Sequence, residues 1–299
     1  MKPPPFDYLA PTSLEEAVEV MARHGDEAKL LAGGQSLVPL LAFRLAGPGV
    51  LVDLNRVHAL DYLHADDGRL VIGAMTRHRT VQDLPGLRQR CAMLAEGVEL
   101  IGHVAIRNRG TVGGSLAHAD PAAEWPALAL ALDGECEVVG PRGTRTVPVD
   151  ELFVTYFTTT LEPDEILKEV RLRLPAGLVG STFVELTRRH GDFAIAGVGA
   201  LLALDGDGSV SDARLTLIGV KDQAVRARAA EEVLVGSKPD DALLEEAVAL
   251  VDGAIEPSDD LHGSASYRRH VARVLARRAL AESRARAERR GGDGDGGQA

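Results

Sequence analysis

The 299-residue chain reads as an α+β protein built in consecutive sections: a small βαβ unit, a larger mixed α/β unit, and a C-terminal antiparallel sheet with helices. Three observations carry that reading. Near the amino end, a strand, a glycine turn, a helix and a second strand follow one another, the order of a parallel crossover. In the middle, a hairpin pattern and an alternating strand lie among helices. Toward the carboxyl end, three apolar strands joined by short turns precede three helices. The expected boundaries are 1–57, 58–176 and 177–285, with 286–299 as a disordered tail.

In the first section, "TSLEEAVEVMARHG" is a helix with both ends marked. Ser13 caps it with Glu16 three residues on, and Gly25 stands where a left-handed residue ends a helix. Leu14, Ala17, Val18 and Met21 share one face, so the helix packs on a core. "AKLLA" reads as a short buried strand, "GGQS" as a turn, "LVPLLAFRLA" as a helix that tolerates Pro39 in its first turn, and "GVLVDL" as the next strand. The glycine turn in "KLLAGGQSLVPLL" (Lys29–Leu41) thus falls at the carboxyl end of a parallel strand, where open α/β sheets bind ligands.

In the second section, "RLVIGAM" is a strand, "TRHRTVQDLPGL" a capped helix and "AMLAEGVELIG" another helix. A second glycine turn, in "RGTVGGSLAHADPAAEWP" (Arg109–Pro126), leads into the helix "PAAEWPALALALDG". "CEVVGPRGTRTVPV" is a hairpin joined through Pro-Arg-Gly, and "EILKEVRLRLP" alternates like a strand with one wet face. In the third section, "STFVELTRR", "AIAGVGALLALDG" and "SVSDARLTLIGV" are strands, the last two joined by "DGDG" at Asp205–Gly208. "AVRARAAEEVLVG", "DALLEEAVALVDGA" and "SASYRRHVARVLARRALAES" are helices, and "GGDGDGGQA" closes the chain.

Composition narrows function by exclusion. A net charge of −11 gives no support to nucleic-acid or anionic-membrane binding. The positive charge gathers in "YRRHVARVLARRALAESRARAERR", expected as a solvated helix face. Two cysteines, Cys91 and Cys136, make a disulfide framework or an iron–sulfur cluster of this chain's own unexpected. The opening "MKPPPFDYLAPTSLEEA" has no leader pattern, and no apolar run approaches the ~20 residues of a membrane span, so the expected location is cytoplasmic. Asp205, Asp207 and Ser209 begin like a calcium loop, but Val210 and Thr216 stand where glycine and glutamate are needed. The histidines form no zinc-type pair, and His118 is expected as a hydrogen-bonding loop residue. No nucleophile elbow and no activated cysteine is present, so chemistry here would be a cofactor's.

The glycine turns are the candidate site. A turn that feeds a helix presents unpaired N–H groups and the positive end of the helix dipole, a setting suited to a pyrophosphate. Ser36 and Thr111 add hydroxyl donors. Neither turn matches the G-x-G-x-x-G fingerprint, and purely structural turns are the competing explanation. Asp120 and Glu124 would accept from ribose or adenine, or else cap and charge the helix after Pro121.

Together the two motifs resemble the FAD-binding medium subunit of the molybdenum hydroxylases, the carbon monoxide dehydrogenase and xanthine dehydrogenase family. "FDYLAPTSLEEAVEVM", "LEPDEILKEV" and "RRHGDFAIAGV" fit the same pattern, and the resemblance runs from about Phe6 to about Ala281. It implies a two-part FAD-binding domain followed by the C-terminal section. It also implies that Ala32, Gly33, Gly34, Gln35 and Ser36, flanked by Leu31 and Leu37, wrap the FAD pyrophosphate. Thr111, Val112, Gly113, Gly114 and Ser115 would form the second loop on that cofactor. Asp120 and Glu124 would face its ribityl, ribose or adenine side, although the pattern usually has Asp where this chain has Glu124. Ile101 and Leu167 would be apolar neighbours, and Phe193 would pack near the isoalloxazine unless it is a core residue. The implied partners are a small subunit with two [2Fe–2S] clusters and a large subunit with the molybdopterin cofactor, as a dimer of heterotrimers with an external electron acceptor. No side chain of this chain is expected to act catalytically or to bind metal. A stand-alone FAD oxidoreductase and a non-redox nucleotide-binding module are the alternatives.

Overall fold

The computed structural model describes residues 2–294, the last three by backbone alone. The chain divides into two compact units that are interleaved in sequence. One holds residues up to Asp83, His103–Ala119 and Gly134–Arg173; the other holds Leu84–Gly102, Asp120–Asp133 and the chain from Leu174 onward.

The first unit begins with a small parallel sheet of β1 (Asp7–Leu9), β2 (Ala28–Leu31) and β3 (Val50–Asp53), in the order β1-β3-β2. The helix Leu14–His24 starts where expected: the Ser13 hydroxyl accepts from the Glu16 N–H, and the Glu16 carboxylate accepts in return from the Thr12 N–H. Gly25 ends it at φ 49°. Ala17 and Met21 of this helix pack with Ala28, Val50 and Val52 of the sheet. The strand β1 was not legible: three residues flanked by prolines carry no alternation to read.

The same unit carries a five-stranded antiparallel sheet. It contains β4 (Leu63–Asp66), β5 (Arg69–Gly73), β6 (Glu135–Gly140) and β7 (Gly143–Pro148). A two-stranded piece, β8 (Phe153–Thr155) with β9 (Thr158–Thr159), precedes the last strand, β10 (Ile166–Arg173). Strand order is β4-β5-β10-β6-β7, so β10, the strand read from alternation, lies at the centre.

The second unit is built on an antiparallel sheet of β11 (Leu178–Leu186), β12 (Ala196–Leu204), β13 (Val210–Ile218) and the short β14 (Val225–Arg226). Val198, Ala200 and Leu202 join Val271, Leu275 and Ala279 of the closing helix and Leu234 and Leu244 of the two before it in one core. Gly180 lets that helix approach, because a Cβ there would lie 1.8 Å from the Ser283 carbonyl oxygen.

Two features differ from the sequence reading. The helices Ala92–Leu100 and Glu124–Ala131, expected in the middle section, belong to this second unit. They pack on β11, β12 and β13 because their residues are apolar nearly all round: Met93, Leu94, Val98, Trp125 and Leu128 are completely buried. Second, the helix Ala265–Gly294 runs through most of the stretch expected to be a disordered tail, while residues 295–299 lie outside the described residues. Most of its arginines are held by partners. Arg284 pairs with Asp241, Arg286 with Glu96 and Glu282, and Arg273 with Asp252. The basic face expected to be solvated is in part exposed, as at Arg277 and Arg289, and its charge is largely paired with carboxylates.

Candidate cofactor site

Both glycine motifs lie in the first unit, but they fold differently. The first is a true loop, Ala32–Ser36, between β2 and the helix Leu37–Ala42. Gly34 takes φ 74°, a region that disfavours any side chain with a Cβ. Its carbonyl accepts from Val38 N at 3.0 Å, and the Gln35 side chain folds back to donate to Gly33 O at 2.9 Å. The N–H groups of Gly34, Gln35 and Ser36 have no acceptor among the described residues.

The second motif is a helix, Val112–His118, and not a turn. Thr111 caps it, its hydroxyl accepting from Gly114 N at 3.1 Å. Val112 N donates to Thr76 O at 3.0 Å, Gly113 N to Ala74 O at 2.9 Å and Ser115 N to Thr111 O at 3.0 Å. All four leading N–H groups are thus used inside the protein. Sequence spacing made the two motifs look equivalent; among the described residues the first leaves three adjacent N–H groups without an acceptor, whereas the second leaves only that of Thr111.

Their glycines also answer to different neighbours. A Cβ on Gly33 would lie 2.3 Å from Arg109 O and 2.7 Å from Gly110 Cα, so the first loop rests directly on the second motif's leading segment. A Cβ on Gly113 would lie 2.4 Å from Ala74 Cβ. A Cβ on Gly114 would meet Thr111 Oγ1 at 2.7 Å and Ala32 Cβ at 3.3 Å. Gly33 and Gly113 therefore serve close packing of backbone on backbone.

Three residues outside both motifs contribute, and no spacing rule could have found them. His78 fills the space beside Gly110, and its burial together with the charges of Arg77 and Arg107 pushes its pKa down to about 3, so it is neutral. Asn55 and Arg77 reach the two motifs with their side chains. Arg77 makes no ion pair among the described residues.

The remaining expected residues are placed as follows. Leu31 and Leu37 flank the first loop half-buried, and Leu167 is buried in β10 beside a bulge. Ile101, Asp120, Glu124 and Phe193 belong to the second unit. Asp120 accepts from Ala122 N at 2.9 Å in a local turn and does not cap the helix, which begins at Glu124. Phe193 is 68% exposed, which removes the reading of it as a core residue. His118, expected in a loop, ends the helix Val112–His118 and stacks on Phe157 with ring centroids 5.1 Å apart.

Residues 4–175 match the family described as the FAD binding domain in molybdopterin dehydrogenase, and residues 181–283 match the CO dehydrogenase flavoprotein C-terminal domain. The chain belongs to this family of FAD-binding subunits. It is 43% identical to the 6-hydroxypseudooxynicotine dehydrogenase complex subunit alpha of Paenarthrobacter nicotinovorans, over 96% of this chain and 97% of that protein. It is 39% identical to a carbon monoxide dehydrogenase of Hydrogenophaga pseudoflava of known structure, with a TM-score of 0.93 over 96% of this chain and 99% of that one. Quinoline 2-oxidoreductase from Pseudomonas putida 86 is 37% identical, with a TM-score of 0.90 over 96% of this chain and 99% of that one. The molybdenum-hydroxylase flavoprotein subunit described here is thus an oxidoreductase subunit with the mixed α/β fold of its relatives. Its two thiols are inert by burial, which pushes Cys91 up to about 11 and Cys136 up to about 12. Among the described residues no acidic, histidine or cysteine group is arranged to hold a metal, and no helix is long and apolar enough to cross a membrane.

Proposed function

We propose that this subunit holds FAD with its diphosphate on the loop Ala32–Ser36. The carrying observation is the set of N–H groups at Gly34, Gln35 and Ser36 left without an acceptor among the described residues, beside Arg77, which makes no ion pair among them. The Ser36 hydroxyl adds a donor of the same kind, and Leu31 and Leu37 close the sides. Thr111, Val112, Gly113, Gly114 and Ser115 act on the cofactor chiefly as the wall against which the first loop is set, since the amides of Val112–Ser115 are occupied. Leu167 is an apolar neighbour; for Ile101, Asp120, Glu124 and Phe193 the assignment rests on the family resemblance alone.

When bound, FAD supplies the redox chemistry, taking electrons from [2Fe–2S] clusters of a small partner subunit, fed by a large molybdenum subunit, and passing them to an external acceptor. This chain's residues bind, orient and shield the cofactor. The same reading makes the holoenzyme a cytoplasmic dimer of heterotrimers, with this subunit silent toward substrate on its own.

The test is an absorption titration of the purified chain with FAD, repeated with both partner subunits. Stoichiometric flavin that bleaches with dithionite, and its loss in Gly34→Val, is the expected result. A complete complex without flavin would overturn the reading. Gly34 is the target because its φ of 74° lies in the loop itself, whereas a Cβ on Gly33 would press on the Arg109 backbone; the thermal midpoint of Gly34→Val, read beside the titration, separates lost FAD binding from lost folding.

A further inference from the structure

Two side chains outside both glycine motifs connect them. Asn55 follows β3, so it stands at the carboxyl end of the strand next to β2. Its Nδ2 donates to Ala32 O at 3.0 Å, and its Oδ1 accepts from the Arg77 guanidinium at 2.6 Å. The other terminal nitrogen of Arg77 donates to Arg109 O. That carbonyl is the atom that leaves no room for a side chain on Gly33. A continuous path, Ala32 to Asn55 to Arg77 to Arg109, therefore spans the junction of the two motifs.

The path is well determined at both joints. Asp53 Oδ1 accepts from the Asn55 backbone N–H at 2.9 Å and from its Nδ2, and Asp53 in turn accepts from the Tyr8 hydroxyl. The Asn55 amide is thereby fixed with its nitrogen toward oxygens and its oxygen toward the guanidinium. Arg77 is half-buried; burial and the nearby charge of Arg109 oppose its charged form, and the more distant carboxylates of Asp61 and Asp53 offset them only in part. With no carboxylate within ion-pair distance among the described residues, it is not half of a surface ion pair. Its planar fork serves two acceptors at once, which an ammonium on a flexible stem does not reproduce.

We propose that Asn55 and Arg77 are positioning residues of the cofactor site, acting as one clamp that fixes the open amides of Gly34–Ser36 relative to the second glycine segment. This rests on the reading that those amides hold FAD. Because the two residues work in series, breaking either joint releases the clamp, and breaking both does no further harm.

The experiment is a double-mutant cycle on the full chain, with Asn55→Ala, Arg77→Lys and the double variant. The readouts are the FAD Kd by flavin fluorescence, the thermal midpoint of the FAD-free protein, and amide hydrogen exchange over residues 38–42 and 109–115. Each single variant should weaken FAD about tenfold, and the double variant should match the singles. Exchange should quicken at the Val38 and Leu40 amides, which donate to Gly34 O and Ser36 O, while the midpoint stays near that of the wild type. Arg77→Lys keeps the charge, so full rescue by lysine would overturn the clamp, as would Kd values within twofold of wild type or single effects that multiply in the double variant. A fall in midpoint that accounts for the weakened binding would likewise overturn it. Failure of the underlying reading is visible separately, as wild-type protein that takes up no FAD even with both partner subunits present.

Discussion

Gly33 and Gly114 stand in motifs that read almost alike, AGGQS and VGGSL, yet their α-hydrogens face different surroundings. A methyl on Gly33 meets a fixed carbonyl at 2.3 Å, whereas one on Gly114 meets a threonine hydroxyl at 2.7 Å. Gly33→Ala should therefore lower stability by about 1–3 kcal/mol or more, as overpacking against backbone does. Gly114→Ala should cost clearly less, and urea denaturation of the two variants will rank them. Glu185 on β11 gives a second residue-scale test. One of its carboxylate oxygens is buried with no hydrogen-bond partner among the described residues, and that burial pushes its pKa from the ordinary 4.5 to about 7. Between pH 4.5 and 7 the folded chain keeps a proton that the unfolded chain has released, so stability falls as pH rises through this window and stays lowered above it. Glu185→Gln should raise the melting temperature at pH 8 and leave it nearly unchanged at pH 4.5; a uniform shift at both would contradict this account.

Among the elements, the helix Val112–His118 is the most instructive. It is seven residues long, holds two glycines near its start, and is fixed by the Thr111 hydroxyl and the carbonyls of Ala74 and Thr76. Thr111→Ala should cost about 1 kcal/mol through loss of the cap and should speed exchange of the Gly114 amide, readable by hydrogen exchange. Val at this position should do the same, since it keeps the shape and loses the acceptor. This helix also shows where sequence reading ends. Long elements with local signals were legible: the Ser13-capped helix, the β6–β7 hairpin, and β10 by its alternation. So was the first glycine loop at the end of β2. Two adjacent glycines usually mark a turn, whereas the bonds that fix the second motif as a helix start run to carbonyls at Thr76 and Ala74, 36 and 39 residues earlier. Asn55 and Arg77 left no local trace for the same reason: their partners are 22 to 32 residues away in sequence.

At the scale of the whole molecule, the division into two interleaved units limits how the chain can be cut. The C-terminal family match begins at residue 181, which suggests a natural boundary just before it. Yet Leu94, Val98, Trp125 and Leu128, all upstream, are fully buried in helices that pack on β11, β12 and β13. A fragment ending at Ala176 would leave those apolar sides uncovered, and it should be insoluble or bind a hydrophobic dye strongly. A soluble, cooperatively melting fragment would show that these helices find other cover.

The same interleaving orders events at the ribosome. The helix Ala92–Leu100 leaves the exit tunnel well before the strands from Leu178 onward that bury it have been made. At roughly 5–20 residues per second, that gap keeps an apolar helix uncovered on the nascent chain for several seconds. Trigger-type holdases that shield emerging hydrophobic segments should therefore raise the yield of this protein more than they would for a chain whose domains close in the order of their synthesis.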